Sequence, residues 1–119
     1  MDAKRKAIPK SIRMTVYQKC NGHCAYCGCN LEYKDMQVDH VVPLNGWSEQ
    51  GTDTVDNLLP ACRSCNHYKS RSTLEGFRKM VAAMPDILMR DSNTYKNAVR
   101  FGLVIPNKKP VVFYFEKNN

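Results

Sequence analysis

Ile12, Val16 and Cys20 recur at every fourth position behind Ser11, which predicts a short helix over residues 11–19 capped by Ser11 and stopped at Asn21-Gly22. Residues 31–42 hold two short strand-like stretches, Gln37 to Val42 being the stronger, and Pro43 marks the exit from regular structure. Leu44 to Asn57 is rich in Gly, Asn, Ser and Asp and reads as a loop. Beyond Cys65, the residues Leu74, Phe77, Val81 and Met84 share one helical face, with Gly76 as its weak point and Pro85 as its expected end. Ser92 to Phe101 predicts a third helix ending near Gly102, and the β-branched and aromatic run Val111 to Phe115 predicts a strand. The pattern is α+β. It divides into a basic arm (1–10), a core (11–85) and a C-terminal helix and strand appendage of the same domain (86–119), with the turn-like stretch Pro106 to Pro110 inside the last.

Composition narrows this picture. A chain of 119 residues with 43% hydrophobic content supports one compact domain, and a domain of that size gains from a staple such as a metal or a disulfide. The opening MDAKRKAIPK lacks an apolar signal region and no later run approaches a membrane span, so the expected location is cytoplasmic and reducing. In that compartment the six cysteines point to metal binding rather than three disulfides. Eighteen basic against eleven acidic side chains give a formal charge of +7, which favours a polyanionic partner and no membrane. Lys4, Arg5 and Lys6 in the arm suit either solvent or phosphate contact.

The cysteines carry the strongest local signal. Cys24-Ala-Tyr-Cys27 and Cys62-Arg-Ser-Cys65 are two Cys-x-x-Cys knuckles, each presenting two thiolates from a tight turn to one tetrahedral Zn²⁺. Four sulfurs close the coordination shell, so this zinc is expected to be structural and to contribute to folding. A redox pair would need a thioredoxin-like βαβ pattern, which the chain lacks. A zinc deaminase would need His-x-Glu ahead of Pro-Cys-x-x-Cys, whereas Val42 is the second residue after His40 and Pro60 stands one residue too far from Cys62. Cys20 reads as core, Cys29 as a bystander, and Trp47 and Tyr68 as local packing.

Between and after the knuckles lie Val38-Asp39-His40-Val41-Val42-Pro43, then Asp56-Asn57-Leu58-Leu59-Pro60, then Asn66-His67-Tyr68-Lys69. In this order and spacing, residues 11–72 resemble the HNH endonuclease family. The resemblance implies a ββα-metal (His-Me) finger, a hairpin packed on a helix with one divalent cation between them, here stapled by zinc. It implies His40 as general base, a role suited to a neutral imidazole. It implies that Asp39 and Asn66 hold the cation and that Asn57 keeps the catalytic loop in register. Adjacent strand residues point to opposite sides, so Asp39 and His40 can share a site only where the strand ends or bends, and Pro43 favours that. The family often has histidine where this chain has Asn66; an amide oxygen suits Mg²⁺ or Mn²⁺, with Ni²⁺ the softer option.

His67 is expected about 100° around the helix from Asn66 and so off the cation. Lys69 at i+3 from Asn66, together with Arg63, Arg71 and His67, forms the expected phosphate-binding set, with Arg78 and Lys79 as further cations nearby. No base-reading element appears, so the expected partner is double-stranded DNA with little sequence preference. A double-strand cut would need two active sites and so a homodimer; a phage or host protein is the other expected partner. Two rival readings use the same knuckles: a non-catalytic zinc module that binds nucleic acid, and an assembly protein built on a zinc core. Neither needs Asp39, His40 and Asn66 together.

Overall fold

The computed structural model describes residues 7–46 and 49–117; Lys4, Arg5, Lys6 and Trp47 lie outside them. The described elements run in the order α1 (Lys10–Gln18), β1 (Gln37–His40), β2 (Leu58–Ala61), α2 (Arg63–Lys69), α3 (Leu74–Asp91) and α4 (Asn93–Arg100), with single 3₁₀ turns at Tyr33–Asp35, Val55–Asn57 and Tyr114–Glu116. The fold class agrees with the α+β expectation, with one antiparallel hairpin pairing Asp39 with Leu59 and His40 with Leu58; of the two strand-like stretches expected in 31–42 only Gln37–His40 forms a strand, the first holding the 3₁₀ turn at Tyr33–Asp35.

α1 begins one residue early. Pro9 takes the cap position and Ser11 lies inside the first turn, where its carbonyl accepts from Thr15. Proline has no side-chain acceptor, so the first turn of α1 starts without a side-chain cap. The stop is as expected: Asn21 and Gly22 both adopt the left-handed conformation, at φ 52° and 81°. The apolar stripe buries Val16 and Cys20.

Two small cores flank the hairpin. Val16, Leu31, Met36 and Leu58 pack on the α1 side; Cys24, Tyr26, Ala61, Phe77 and Phe113 pack on the α3 side, and Cys62 touches both. Phe77 and Phe113 stack with centroids 5.3 Å apart, and the edge of Tyr26 meets each of them. Each buried phenyl ring contributes about 1.5–3 kcal/mol, so this trio forms the principal hydrophobic joint of the α3 side.

The second half departs from expectation in two places. α3 does not end at Pro85 but continues to Asp91, the proline sitting half-buried at a cleft shared with Lys108 and Val111 of the tail. The ring forfeits one helical hydrogen bond, but Ser92 N–H still closes the last turn on Leu88 and Ser92 caps α4. Gly76 falls in the first turn, where its N–H bonds the Thr73 cap at 3.0 Å, so its flexibility does not weaken the helix interior. Val111 to Phe115 is not a strand. Tyr114 and Phe115 donate to the carbonyls of Tyr26 and Ala25 at 3.0 and 2.8 Å, but the chain then curls into a 3₁₀ turn because Glu116 reaches back to the Phe113 N–H. α4 ends before Gly102 as expected.

The radius of gyration is 16.6 Å, above the roughly 13–14 Å of a compact domain of this length. The excess lies in the far end of α3 and the segment after α4, where Ile87, Leu88, Phe101, Leu103 and Ile105 are exposed.

Candidate active site and metal centre

The two knuckles meet. The Sγ atoms of Cys24, Cys27, Cys62 and Cys65 lie within 4.8 Å of one another, with Cys27 and Cys62 3.9 Å apart. Four thiolates at a Zn–S distance of ~2.3 Å stand about 3.8 Å apart, so the cluster fits tetrahedral zinc with little movement. Backbone N–H groups of Tyr26 and Cys65 point at the Cys24 and Cys62 sulfurs, each at 3.4 Å. The hydrogen bond from the Cys65 thiol draws the Cys24 thiol down to about 4, while the same contact holds Cys65 well above an ordinary thiol. None of the six cysteines is disulfide-bonded. Cys20 is buried in the core and Cys29 is exposed, and neither joins the cluster.

Asp39 and His40 close β1, and the pleat sends them different ways. Asp39 turns into the protein, 5% exposed, and its Oδ2 accepts from the Tyr26 hydroxyl at 2.5 Å and pairs with the Lys69 ammonium at 3.2 Å. Burial pushes its carboxyl above the usual range, and the Tyr26 hydrogen bond and the Lys69 charge oppose that push. His40 stays at the rim, its Nε2 2.8 Å from Asp53 Oδ1. Both residues nevertheless border one groove of about 230 Å³, which Asn66, Ser70 and Arg71 of the α2 side complete.

The long β1–β2 connection is stitched at its neck by Asn57. The Asn57 amide donates to the carbonyls of Val42 (2.9 Å) and Thr52 (2.8 Å) and accepts from Val42 N–H (2.9 Å). Gly51 passes so close that a Cβ there would lie 1.8 Å from the Val42 carbonyl oxygen. This crossing returns Asp53 to His40. From the α1 side, the Lys19 ammonium holds the carbonyls of Val55 and Leu58, each at 2.6 Å.

The expected phosphate set separates. Arg71 borders the groove, its Nε donating to Asn45 O at 2.9 Å. Arg63 and His67 are exposed on α2, and neither lines the groove. Lys69 is neither solvated nor turned to a phosphate: its side chain is 0% exposed, bound to Asp39 and to the His40 carbonyl at 2.9 Å. A short helix ending against the hairpin leaves that face no water to reach. Arg78 is likewise engaged, by Glu75 and Glu116 and over the Phe113 ring. Tyr68 is 52% exposed rather than locally packed. Sequence reasoning missed Asp53 and Tyr26. Tyr26 had one available signal, its place inside a knuckle two residues after Cys24; Asp53 had none, because only the folded loop carries it to His40.

Comparison with known proteins points the same way as the geometry. Residues 24–72 match the HNH endonuclease family. The chain is similar to the CRISPR-associated endonuclease Cas9 of Corynebacterium diphtheriae, 36% identical over 55 residues that make up 46% of this chain and 5% of that protein. It is similar to the Cas9 of Actinomyces naeslundii, 31% identical over 61 residues, 51% of this chain and 5% of that one. The crystal structure of the Type II-C Cas9 enzyme from Actinomyces naeslundii superposes with a TM-score of 0.53 at 25% identity, covering 66% of this chain and 9% of that one. The chain thus corresponds to about a twentieth of the length of these curated relatives. Among the described residues, no helix is long and apolar enough to cross a membrane. With hairpin, helix, thiol cluster and Asp-His pair in family order, residues 24–72 of this chain carry its match to the HNH endonuclease domain.

Proposed function

We propose that this protein is a metal-dependent endonuclease that hydrolyses phosphodiester bonds of DNA, with His40 as general base and Asp39 and Asn66 as the residues that hold one divalent cation. The observation that supports the reading is the groove itself: Asp39 and His40 at the strand end and Asn66 of the helix all border it. The oxygen donors of Asp39 and Asn66 suit Mg²⁺ or Mn²⁺; such a cation, when bound, offsets the negative charge gathering on the phosphorane and the departing 3′ oxygen.

With Asp53 accepting from Nε2–H, the His40 ring is held in the tautomer whose Nδ1 carries a lone pair. That nitrogen takes the proton of the attacking water; the new P–O bond forms as the bond to the 3′ oxygen breaks. Asn57 keeps the loop, and with it Asp53, in register. The four cysteines hold a structural zinc outside this chemistry. Arg71 at the groove and Arg63 and His67 on the open face of α2 contact the DNA backbone, and the substrate is duplex DNA read with little sequence preference.

The test is cleavage of supercoiled plasmid by wild type and His40→Ala in EDTA and in Mg²⁺, Mn²⁺ or Ni²⁺. Wild type nicks or linearises the plasmid only with metal, and His40→Ala is slower by about 10²–10⁴-fold with unchanged circular dichroism. Equal rates for the two proteins remove His40 as base. Retardation of DNA without cutting in any metal favours the zinc-stapled binding module instead.

A further inference from the structure

Tyr26 is the residue that joins the thiol cluster to the groove. Its ring is 3% exposed and wedged edge-on between Phe77 (5.3 Å), Phe113 (5.2 Å) and Phe115 (6.1 Å). Its backbone is fixed at both polar atoms, the N–H on the Cys24 sulfur at 3.4 Å and the carbonyl under Tyr114 N–H at 3.0 Å. A side chain so confined has one position for its hydroxyl, and that position is 2.5 Å from Asp39 Oδ2. Phenylalanine would fill the same apolar space; the hydroxyl is what packing does not require. Lys69 completes the arrangement by touching the same Asp39 oxygen and, at 2.9 Å, the carbonyl of His40. Two neighbouring residues of the groove are thus held from behind by one buried network that starts inside a metal knuckle.

We propose that Tyr26 is a positioning residue for the groove's cation: through its hydrogen bond to Asp39 it couples divalent-cation affinity in the groove to the integrity of the thiol cluster. The inference rests on Asp39 as a cation ligand. Oriented ligands bind more tightly because less freedom is lost on binding, and removal of such an outer partner typically weakens a metal site by about 10- to 100-fold.

The experiment measures Mn²⁺ binding by electron paramagnetic resonance on the zinc-loaded full chain, for wild type, Tyr26→Phe and Asp39→Asn, with zinc content and circular dichroism recorded for each. Tyr26→Phe is expected to keep one zinc and its fold while its Mn²⁺ dissociation constant rises by about 10-fold or more, and Asp39→Asn to lose binding. A Tyr26→Phe affinity within about twofold of wild type, beside an Asp39→Asn that has lost binding, overturns the inference alone. An Asp39→Asn that binds like wild type overturns the cation assignment and the inference with it. Should Tyr26→Phe not fold, wild type labelled with 3-fluorotyrosine decides: saturating Mg²⁺ shifts the Tyr26 fluorine resonance, assigned by Tyr→Phe replacement of the other tyrosines, and an unmoved resonance overturns the proposal.

Discussion

The thiol cluster, drawn from residues 24–27 and 62–65, and the groove, drawn from residues 38–45 and 66–71, are neighbours along the chain, yet they are opposite kinds of site. In the cluster, four identical soft donors converge on a common centre, and two of them already accept backbone N–H groups. In the groove, Asp39, His40 and Asn66 border a space that remains open, and the Asp39 carboxylate is tied by residues that do not line it. The first arrangement suits a metal that holds the fold; the second suits a metal that meets a substrate. A site can be closed by its own ligands, or left open and braced by its neighbours, and this small domain uses both.

Three perturbations pull the two regions apart, in falling order of effect. Cys62→Ser should empty the cluster: serine keeps a capping oxygen for α2 but not a thiolate, and Cys62 packs against both cores. Loss of zinc and a fall in melting temperature of about 10 °C or more are expected by metal analysis and thermal denaturation, with cleavage lost as a consequence. A variant that retains its zinc and melting temperature would contradict this. Asn57→Ala should act mainly on the groove. It removes three hydrogen bonds at the neck of the loop, so cleavage should fall about tenfold or more while zinc stays bound; the stability loss, about 1–3 kcal/mol by urea denaturation, is the smaller signal. If activity and stability fell in equal proportion, the loop would be support for the fold alone.

Arg78→Ala should touch neither site directly and cost about 1 kcal/mol or less, since the ion pair with Glu116 is partly solvated. Its pH dependence gives the sign. Arg78 holds the Glu116 carboxyl below the usual glutamate range, so the pair's contribution is fully present above the ordinary glutamate value and is lost as pH falls through the depressed one. The stability gap between wild type and Arg78→Ala should therefore narrow at acid pH, leaving the part owed to the guanidinium lying 4.6 Å over Phe113. A gap that widens on acidification would show that Glu116 is not the partner that matters.

What was legible in the sequence was what short-range spacing encodes. Cys-x-x-Cys turns announce themselves, and the order Asp39-His40, Asn57, Asn66 carried the family with it. The helical stripes of α1 and of the first half of α3 were equally plain. Three features were not legible, each for a physical reason. The fate of Lys69 depends on which face of a seven-residue helix meets the hairpin, and helical spacing places it beside Asn66 without saying that the space behind is dry. Pro85 ends most helices, but here it sits half-buried at a cleft shared with the tail and the helix runs on to Asp91. Val111 to Phe115 has strand composition, yet its aromatics are spent on the core and Glu116 turns the backbone away.

The tail has a consequence for the order in which the molecule is made. Among the described residues, Phe113 and Phe115 are the last rings of the wedge around Tyr26, and the N–H groups of Tyr114 and Phe115 bond the distant carbonyls of Tyr26 and Ala25. Contacts separated by so much of the sequence are the slowest to close, and a ribosome delivers them last. The cysteines, the hairpin and α2 are all synthesised before Phe113 emerges, so a nascent chain holds its metal ligands and its groove residues while the wedge around Tyr26 still lacks its final rings. The groove that Asp39 and His40 border is thereby expected to become rigid only once Phe113 and Phe115 have been added.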